Sequence, residues 1–392
     1  MGNISENNFH NSSDRIHIVS NSDTWIEGKA IQQLEKTAEL EGIVKAAGMP
    51  DLHPGRGYPI GAAFLSKNII YPALVGNDIG CGMSLWNSNI KTRKVNLDKF
   101  ERKLKSLETP LEDYWSDRVD SKLNVHAYDS FPFSQALGTI GGGNHFAELQ
   151  QLDTVFSADE LEPLGIDKHH LVLLVHSGSR GLGEQVLRQH VNQFGHKGLK
   201  VESQAFIEYM EQHQLALHFA ELNRELIARR MLKYLSADGE SLIDVNHNLV
   251  SRWQNDVEEN DSFWIHRKGA TPADQGLVMI PGSRGDYSYL VKPDKQDLES
   301  NKALSSLAHG AGRKWIRSEC RARLSNRYTK HDLKRTSFGS RVVCENKDLI
   351  YEEAPEAYKS IDSVIDAMVS EDLIKPIARF KPVLTYKTGG QC

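Results

Sequence analysis

Residues 49–86 read MPDLHPGRGYPIGAAFLSKNIIYPALVGNDIGCGMSLW, and the texture of this stretch decides the fold class. Short apolar runs are broken by Gly and Pro, which predicts brief strands joined by tight, conformationally demanding turns. Outward from it the pattern changes. From Glu27 to Leu40 the apolar residues Ile31, Leu34 and Ala38 recur at helical spacing, with Asp23 and Thr24 available as caps. Residues 184–235 are rich in helix formers, and AFIEYMEQHQLALHFAELNRELIARRML contains neither Pro nor Gly. A buried strand is expected at Leu171 to Val175, short strands at 262–266, 277–280 and 341–344, and helices around 303–324 and 355–369. Strands and helices do not alternate regularly, so the expected class is α+β, with mixed sheets flanked by helices, rather than a doubly wound parallel sheet.

The chain of 392 residues can bury a substantial core, and no long Pro/Gly/Ser-rich linker marks a cut, which leaves one large domain or two open. With 39% hydrophobic and 25% charged residues it has the composition of a globular enzyme, not of a disordered chain. No apolar run approaches the roughly 18 residues of a membrane span. The N-terminus lacks the basic flank and apolar stretch of a secretory signal, and Glu6 stands where a myristoylation motif wants Ser or Thr, so a cytoplasmic location is expected. Cysteines at 81, 320, 344 and 392 form no disulfide framework and read as reduced thiols. A net charge of −5 argues against coating nucleic acid by bulk electrostatics. A local basic stretch after His309 runs through Arg313, Lys314, Arg317, Arg321, Arg323, Arg327, Lys330, Lys334 and Arg335, and is either an RNA-facing surface or a solvated helix face.

Several potential ligands sit in Gly-rich, apolar surroundings, where a backbone turn can hold a side chain toward a site. They fall in Asn77-Asp78-Ile-Gly-Cys81-Gly82, Gly141-Gly-Gly-Asn144-His145-Phe-Ala-Glu148, His176-Ser-Gly-Ser-Arg180-Gly181, Asn246-His247-Asn248 and Ala308-His309-Gly-Ala-Gly-Arg313. Carboxylate, thiolate and imidazole together suit a borderline transition metal better than Mg²⁺ or Ca²⁺ alone. There is no CxxC pair and no HExxH, so any one of these histidines, taken singly, is equally readable as a hydrogen-bonded structural residue.

In order and spacing, the segments MPDLHPGRGYPIG, VGNDIGCGM, GTIGGGNHFAEL, VHSGSRGLG, NHN, HRKGAT, IPGS, AHGAGR and EEAPEAYK, with a Lys near the C-terminus, resemble the RtcB family of RNA ligases from about residue 49 to 388. The resemblance implies a single domain over 1–392, with residues 1–25 as a flexible N-terminal segment. It implies two Mn²⁺ ions bridged by Cys81, one completed by Asp78 and His145 and the other by His176 and His247. It places the guanylylated histidine of the family on His309, beside Gly310, Ala311 and Gly312. It maps a GTP pocket onto Asn144, His145, Phe146, Ala147, Glu148, His247, Asn248, Ile280, Pro281, Gly282, Ser283, Ser288, Tyr358 and Lys387, with Glu148 reading the guanine edge. Arg180, Lys268 and Arg313 match positions that face phosphate or RNA.

The activity that the resemblance implies is that of a GTP- and Mn²⁺-dependent ligase, acting as a monomer on broken tRNA or rRNA. Such an enzyme joins 3′-phosphate or 2′,3′-cyclic phosphate ends to 5′-hydroxyl ends in RNA repair or tRNA splicing. GRGYPIGAAF with PALVGNDIGCGM looks more like the branch coupled to a release-factor-like protein. The chain runs on past Lys387 as Thr-Gly-Gly-Gln-Cys, whereas family members usually stop sooner. Two rivals are a metal-dependent phosphoesterase or nuclease without a nucleotide intermediate, which would need neither His309 nor a guanine pocket, and a silent RNA-binding module, which would gain nothing from a metal site.

Overall fold

The computed structural model describes residues 15–123, 131–253, 262–294 and 302–389. Two sheets carry the architecture. The larger runs in the spatial order Val278–Pro281, Ser288–Pro293, Ile374–Thr388, Phe146–Val155, Leu171–Ser177, Gly82–Trp86, Ser241–Asn246, with Arg341–Cys344 as an eighth strand beside Ile374–Thr388. That last pairing is parallel and the others are antiparallel. The smaller sheet orders Ile16–Ile18, Ile43–His53, Ile60–Lys67, Phe263–Lys268 and Asn248–Arg252, with Ile16–Ile18 parallel to its neighbour. Mixed sheets with helices segregated against them make this α+β.

The 32-residue helix Gln204–Leu235 starts at Ser203, whose hydroxyl accepts from the Phe206 N–H. Its Ile227, Met231 and Leu232 pack on Trp86, Leu173 and Val175, which seals one face of the larger sheet. The preceding helix, Gly181–Phe194, ends at Gly195, and the expected helical stretch 184–235 is interrupted there by Leu199–Lys200, which pairs with Ile69–Ile70.

Four local expectations need correction. The flexible segment expected over 1–25 does not include Ile16–Ile18, which is held as a strand by pairing with Ala46–Gly48; residues 1–14 lie outside the described residues. Helix Gly28–Ala38 forms, but Glu27 stands at its N-cap, while Thr24 Oγ1 donates to Asn21 Oδ1 at 2.8 Å in a separate turn, so neither Asp23 nor Thr24 caps it. Around 303–324 only Arg317–Leu324 is helical; Ser306–Ala308 is a strand against Ala270–Pro272, and the two glycines after His309 end the ladder in an irregular turn. The stretch 49–86 forms strands, but the first two are longer than brief. Ile43–His53 continues past Pro50 because residues 49–52 bulge out between the pairs Gly48↔Ala62 and His53↔Ile60, where no ladder hydrogen bond is asked of the proline. The bulge pushes Asp51 out of register and toward the turn after Ala308.

Candidate metal centre and nucleotide site

The strand registers explain why five distant side chains meet. Gly82 pairs with Ser177 on one side and Asn246 on the other, and Phe146 pairs with His176, so the ends carrying Cys81, His145, His176 and His247 lie side by side. Cys81 Sγ lies 3.1 Å from His176 Nε2 and 3.3 Å from His145 Nε2. His176 Nε2 lies 3.3 Å from His247 Nε2, and His145 Nε2 lies 2.8 Å from Asp78 Oδ2. Two triads result, Asp78/Cys81/His145 and Cys81/His176/His247, each with its donor atoms within 4.8 Å of one another and Cys81 common to both.

The donor set fits a pair of cations. The Nε2 atoms of His176 and His247 face each other and the thiol, a crowding of lone pairs that positive charge between them would relieve. His145 Nδ1 lies 3.2 Å from the Ile140 carbonyl and can donate to it, which leaves Nε2 as the ligating nitrogen. Burial holds the pKa values of His176 and His247 well below 6.5, and neighbouring imidazoles add to the effect, so both are neutral and able to ligate. Burial, reinforced by Asp78, pushes the Cys81 thiol up; a bound divalent cation would reverse that balance.

The long helix holds these loops from behind. Arg224 Nη1 donates to the carbonyls of Gly80 (2.7 Å) and Ser177 (3.1 Å), and Asn223 Nδ2 donates to those of Thr139 and Gly178, both at 3.2 Å. Gly80 has φ +75°, and a Cβ there would stand 2.7 Å from Ala220 Cβ, so only glycine allows the turn to press against the helix. In the sequence both Asn223 and Arg224 read as ordinary helix residues, with nothing local to mark their role.

His309 lies beside the centre, its ring 5.0 Å from that of His247. Its Nδ1 lies 2.6 Å from Asp51 Oδ2, and its backbone N–H donates to the same oxygen at 3.3 Å. The side-chain contact is close without being aligned as a hydrogen bond, and Asp51 is fully buried. Gly312 (φ +69°) lies so close that a Cβ would meet the Asp51 carbonyl at 2.3 Å. Asp51 is a functional candidate that its own segment, MPDLHPG, gives no local reason to single out.

A wall of polar side chains extends from there. Gln150 Nε2 donates to both Glu148 Oε1 and Ser288 Oγ at 2.7 Å, and Thr385 also bonds Glu148. Burial raises the Glu148 pKa to about 7 against the opposing pull of Gln150, Thr385 and Lys387. Lys387 donates to Glu353 Oε2 at 3.3 Å, and Tyr358 donates to the same oxygen at 2.6 Å. Pro281 O would be 3.1 Å from a Cβ on Gly310, so the Ile280–Ser283 segment and the turn after His309 are in contact. Phe146 packs edge-on against His176, Ala147 and Ala311 are buried, and Asn248 is held between the Asp78 carbonyl (3.0 Å) and the Gly269 N–H (2.7 Å). Asn144 is half-buried in the turn that precedes strand Phe146–Val155.

The sequence matches the family described as tRNA-splicing ligase RtcB over residues 33–131 and 122–388. The chain belongs to the RtcB family. It is 52% identical over 378 residues to the RNA-splicing ligase RtcB2 of Escherichia coli, covering 96% of this chain and 97% of that protein. More distant RtcB relatives include the tRNA-splicing ligase RtcB of Archaeoglobus fulgidus, 29% identical with 91% of each chain covered, and the RNA-splicing ligase RtcB of Mycobacterium bovis, 28% identical with 90% and 99% covered.

The three residues expected to face phosphate or RNA differ in their surroundings. Arg180 has φ +56° at the start of helix Gly181–Phe194, a strained conformation for a side-chain-bearing residue, and its guanidinium lies over Gly141. Burial lowers Lys268 to about 8, with Nζ 6.0 Å from the Tyr58 ring centre. Arg313 donates to Trp315 O, Glu353 Oε1, Tyr358 Oη, Cys320 Sγ and Glu352 O, which leaves no N–H for an RNA phosphate. Much of the basic stretch beyond it is likewise paired: Arg317 with Glu353, Arg321 with Asp348, Arg323 with Glu319, Lys330 and Lys334 with Glu345. Most of those acids lie in 345–353, out of reach of any local charge count. Cys81, Cys320 and Cys344 are free and buried; Cys392 lies outside the described residues.

Proposed function

We propose that this RtcB ligase is a GTP- and Mn²⁺-dependent RNA ligase that joins 3′-phosphate or 2′,3′-cyclic phosphate ends to 5′-hydroxyl ends through a covalent His309–GMP intermediate. The observation that carries the reading is the pairing of His309 Nδ1 with Asp51 beside the Cys81-centred donor cluster. With Nδ1 turned to the carboxylate, Nε2 is the nitrogen free to attack.

His309 Nε2 attacks the α-phosphorus of GTP, forming a P–N bond as diphosphate leaves. The 3′-phosphate oxygen of the RNA then takes GMP from His309. The 5′-hydroxyl attacks that phosphate, a phosphodiester forms, GMP leaves and the hydroxyl proton is lost to solvent. Asp51 holds the ring and offsets the positive charge that develops on it during the first step. Glu148 accepts from the guanine edge, and Arg180 and Lys268 hold phosphate. Asp78, Cys81, His145, His176 and His247 would hold two Mn²⁺ ions, which supply Lewis-acid polarisation of phosphoryl oxygens when bound. A cyclic phosphate end would first be opened by water, whose oxygen bonds to phosphorus as the bond to the 2′-oxygen breaks and the 2′-hydroxyl takes up a proton, leaving the 3′-phosphate.

On this reading the protein works in the cytoplasm, in RNA repair or tRNA splicing, with tRNA or rRNA fragments as substrate and a release-factor-like protein as its functional partner. Among the described residues no helix is long and apolar enough to cross a membrane. The test is to incubate a 3′-phosphate strand and a 5′-hydroxyl strand with the chain, Mn²⁺ and GTP or ATP. Joined RNA with GTP alone supports the ligase; loss of the terminal phosphate without joining or nucleotide use would favour the phosphoesterase.

A further inference from the structure

The bulge at residues 49–52 carries three successive carbonyls, those of the buried residues Pro50, Asp51 and Leu52, outside the paired register of its sheet. Each finds a side-chain donor. His53 Nδ1 donates to the Asp51 carbonyl at 2.9 Å, and Lys359 Nζ donates to the Pro50 and Leu52 carbonyls, both at 2.9 Å. Buried carbonyls need such partners, and an ammonium with three N–H groups can serve two at once. Lys359 reaches them from 309 and 307 positions away in the chain. It is only 8% exposed, and burial lowers its pKa to about 8 against the pull of Asp51 and Glu27, so it stays charged near neutral pH.

The same residue holds the other half of the Asp51–His309 pair. The Lys359 N–H donates to the Gly312 carbonyl at 3.0 Å, and its neighbour Tyr358 bridges to Arg313. Gly312 closes the turn that begins at His309 and lies against the Asp51 backbone. The main chain of Lys359 therefore fixes the His309 turn, and its side chain fixes the bulge that carries Asp51. The carboxylate has few bonds of its own to fix it. Asp51 Oδ1 has no hydrogen-bond partner among the described residues, and the one bond that Oδ2 accepts, from the His309 N–H, is 3.3 Å long. Where the carboxylate points is thus set by the backbone on either side of it, which is where Lys359 grips.

We propose that Lys359 is a positioning residue for the first chemical step: by clamping the carbonyls on both sides of Asp51 while bonding the His309 turn, it holds the carboxylate against His309 Nδ1 and leaves Nε2 free to attack. In this role it touches neither nucleotide nor metal and acts through Asp51. Without the clamp two buried carbonyls lose their donor and the bulge must shift to find others. A displacement of about 1 Å at a reacting group can cost roughly a hundredfold in rate, so a small shift of Asp51 is enough to matter. The inference rests on the covalent His309–GMP reading above and adds to it the residue that sets the geometry of the Asp51–His309 pair.

The experiment measures GMP-adduct formation in single turnovers of the full chain at saturating α-labelled GTP with Mn²⁺, beside equilibrium GTP binding. The proteins are wild type, Lys359→Met, Lys359→Gln, Asp51→Asn, and each Lys359 variant combined with Asp51→Asn. Lys359→Met should slow adduct formation by roughly ten- to a hundredfold and change GTP affinity by less than about twofold. Lys359→Gln keeps an N–H donor for one carbonyl, so it should fold and slow the step by a smaller factor. In the Asp51→Asn background either substitution should cost less than about twofold more, because residues that act as a unit are not additive. Should Lys359→Met fail to fold, the glutamine variant and its combination with Asp51→Asn decide the matter. A wild-type rate in the variants that fold, the same loss with and without Asp51→Asn, or a loss that appears as weaker GTP binding overturns the proposal. If wild type forms no adduct, the functional reading fails and the proposal with it; if wild type forms it and the Lys359 variants match it, that reading stands and only this proposal falls.

Discussion

Asp51 Oδ2 lies 2.6 Å from His309 Nδ1, although the two residues are 258 positions apart in the chain. The carboxylate reaches the imidazole because residues 49–52 bulge out of the smaller sheet. Asp51→Asn keeps the shape and removes the charge that orients the ring and offsets imidazolium character. Formation of the GMP adduct should slow by roughly 10²- to 10⁴-fold, a range typical of lost acid–base assistance. Single-turnover labelling with α-labelled GTP checks this, and an unchanged rate would show that Asp51 serves packing alone.

Cys81 is the one donor shared by both triads. Cys81→Ser replaces a thiolate with a neutral hydroxyl, so most of the tightly bound Mn²⁺ and all ligation should be lost. Metal content after gel filtration, read beside a ligation assay, is the measurement; a serine variant that ligates at the wild-type rate contradicts the assignment.

Glu148 makes nucleotide use pH-dependent. Burial raises its pKa to about 7, and only the carboxylate accepts both guanine donors, so GTP affinity should fall as pH drops below about 7. The stability effect has the opposite sign: this group favours the fold below its ordinary 4.5, and that contribution is lost as pH rises through about 7. Glu148→Ala should weaken GTP binding by roughly ten- to a hundredfold or more, since each charge-assisted hydrogen bond lost is worth about 1.5–3 kcal/mol, and should flatten the affinity profile across this range. Calorimetric titration at pH 6 and 8 would separate these outcomes; a pH profile unchanged by the substitution would mean that another group reads the base.

Asp78, Cys81, His145 and His176 stand near glycines in short apolar segments, a local pattern that marked them as candidates, whereas His247 has none beside it and the grouping of all five came from the resemblance. Asp51 was not legible, since its role depends on a bulge that brings it to a residue far along the chain. The basic stretch left two readings open for the same reason: Arg321 and Lys334 look unopposed until folding brings Asp348 and Glu345 against them. The residues after 303 carry helix-forming Ala and Leu, yet pairing with Ala270–Pro272 and the turn at Gly312 override that preference.

Arg224 ties the long helix to the Cys81 turn and to Asp244, to which its Nε donates at 3.0 Å. Arg224→Met frees the buried Gly80 and Ser177 carbonyls and takes the partner from Asp244, whose side chain is 26% exposed, so it should destabilise the protein by about 1–3 kcal/mol. The denaturant midpoint reads the loss. A midpoint within experimental error of wild type would show that the helix holds the turn by apolar packing instead.

The most direct test of the central claim is whether His309 itself carries GMP. Incubated with α-labelled GTP and Mn²⁺, the wild-type chain should acquire a label that acid removes and alkali does not, as a phosphoramidate requires. His309→Ala should abolish the label while leaving Mn²⁺ content nearly intact, because His309 belongs to neither donor triad. A label that persists in the variant, or that never forms in wild type with Mn²⁺ present, would contradict the covalent mechanism and leave the donor cluster to a phosphoesterase.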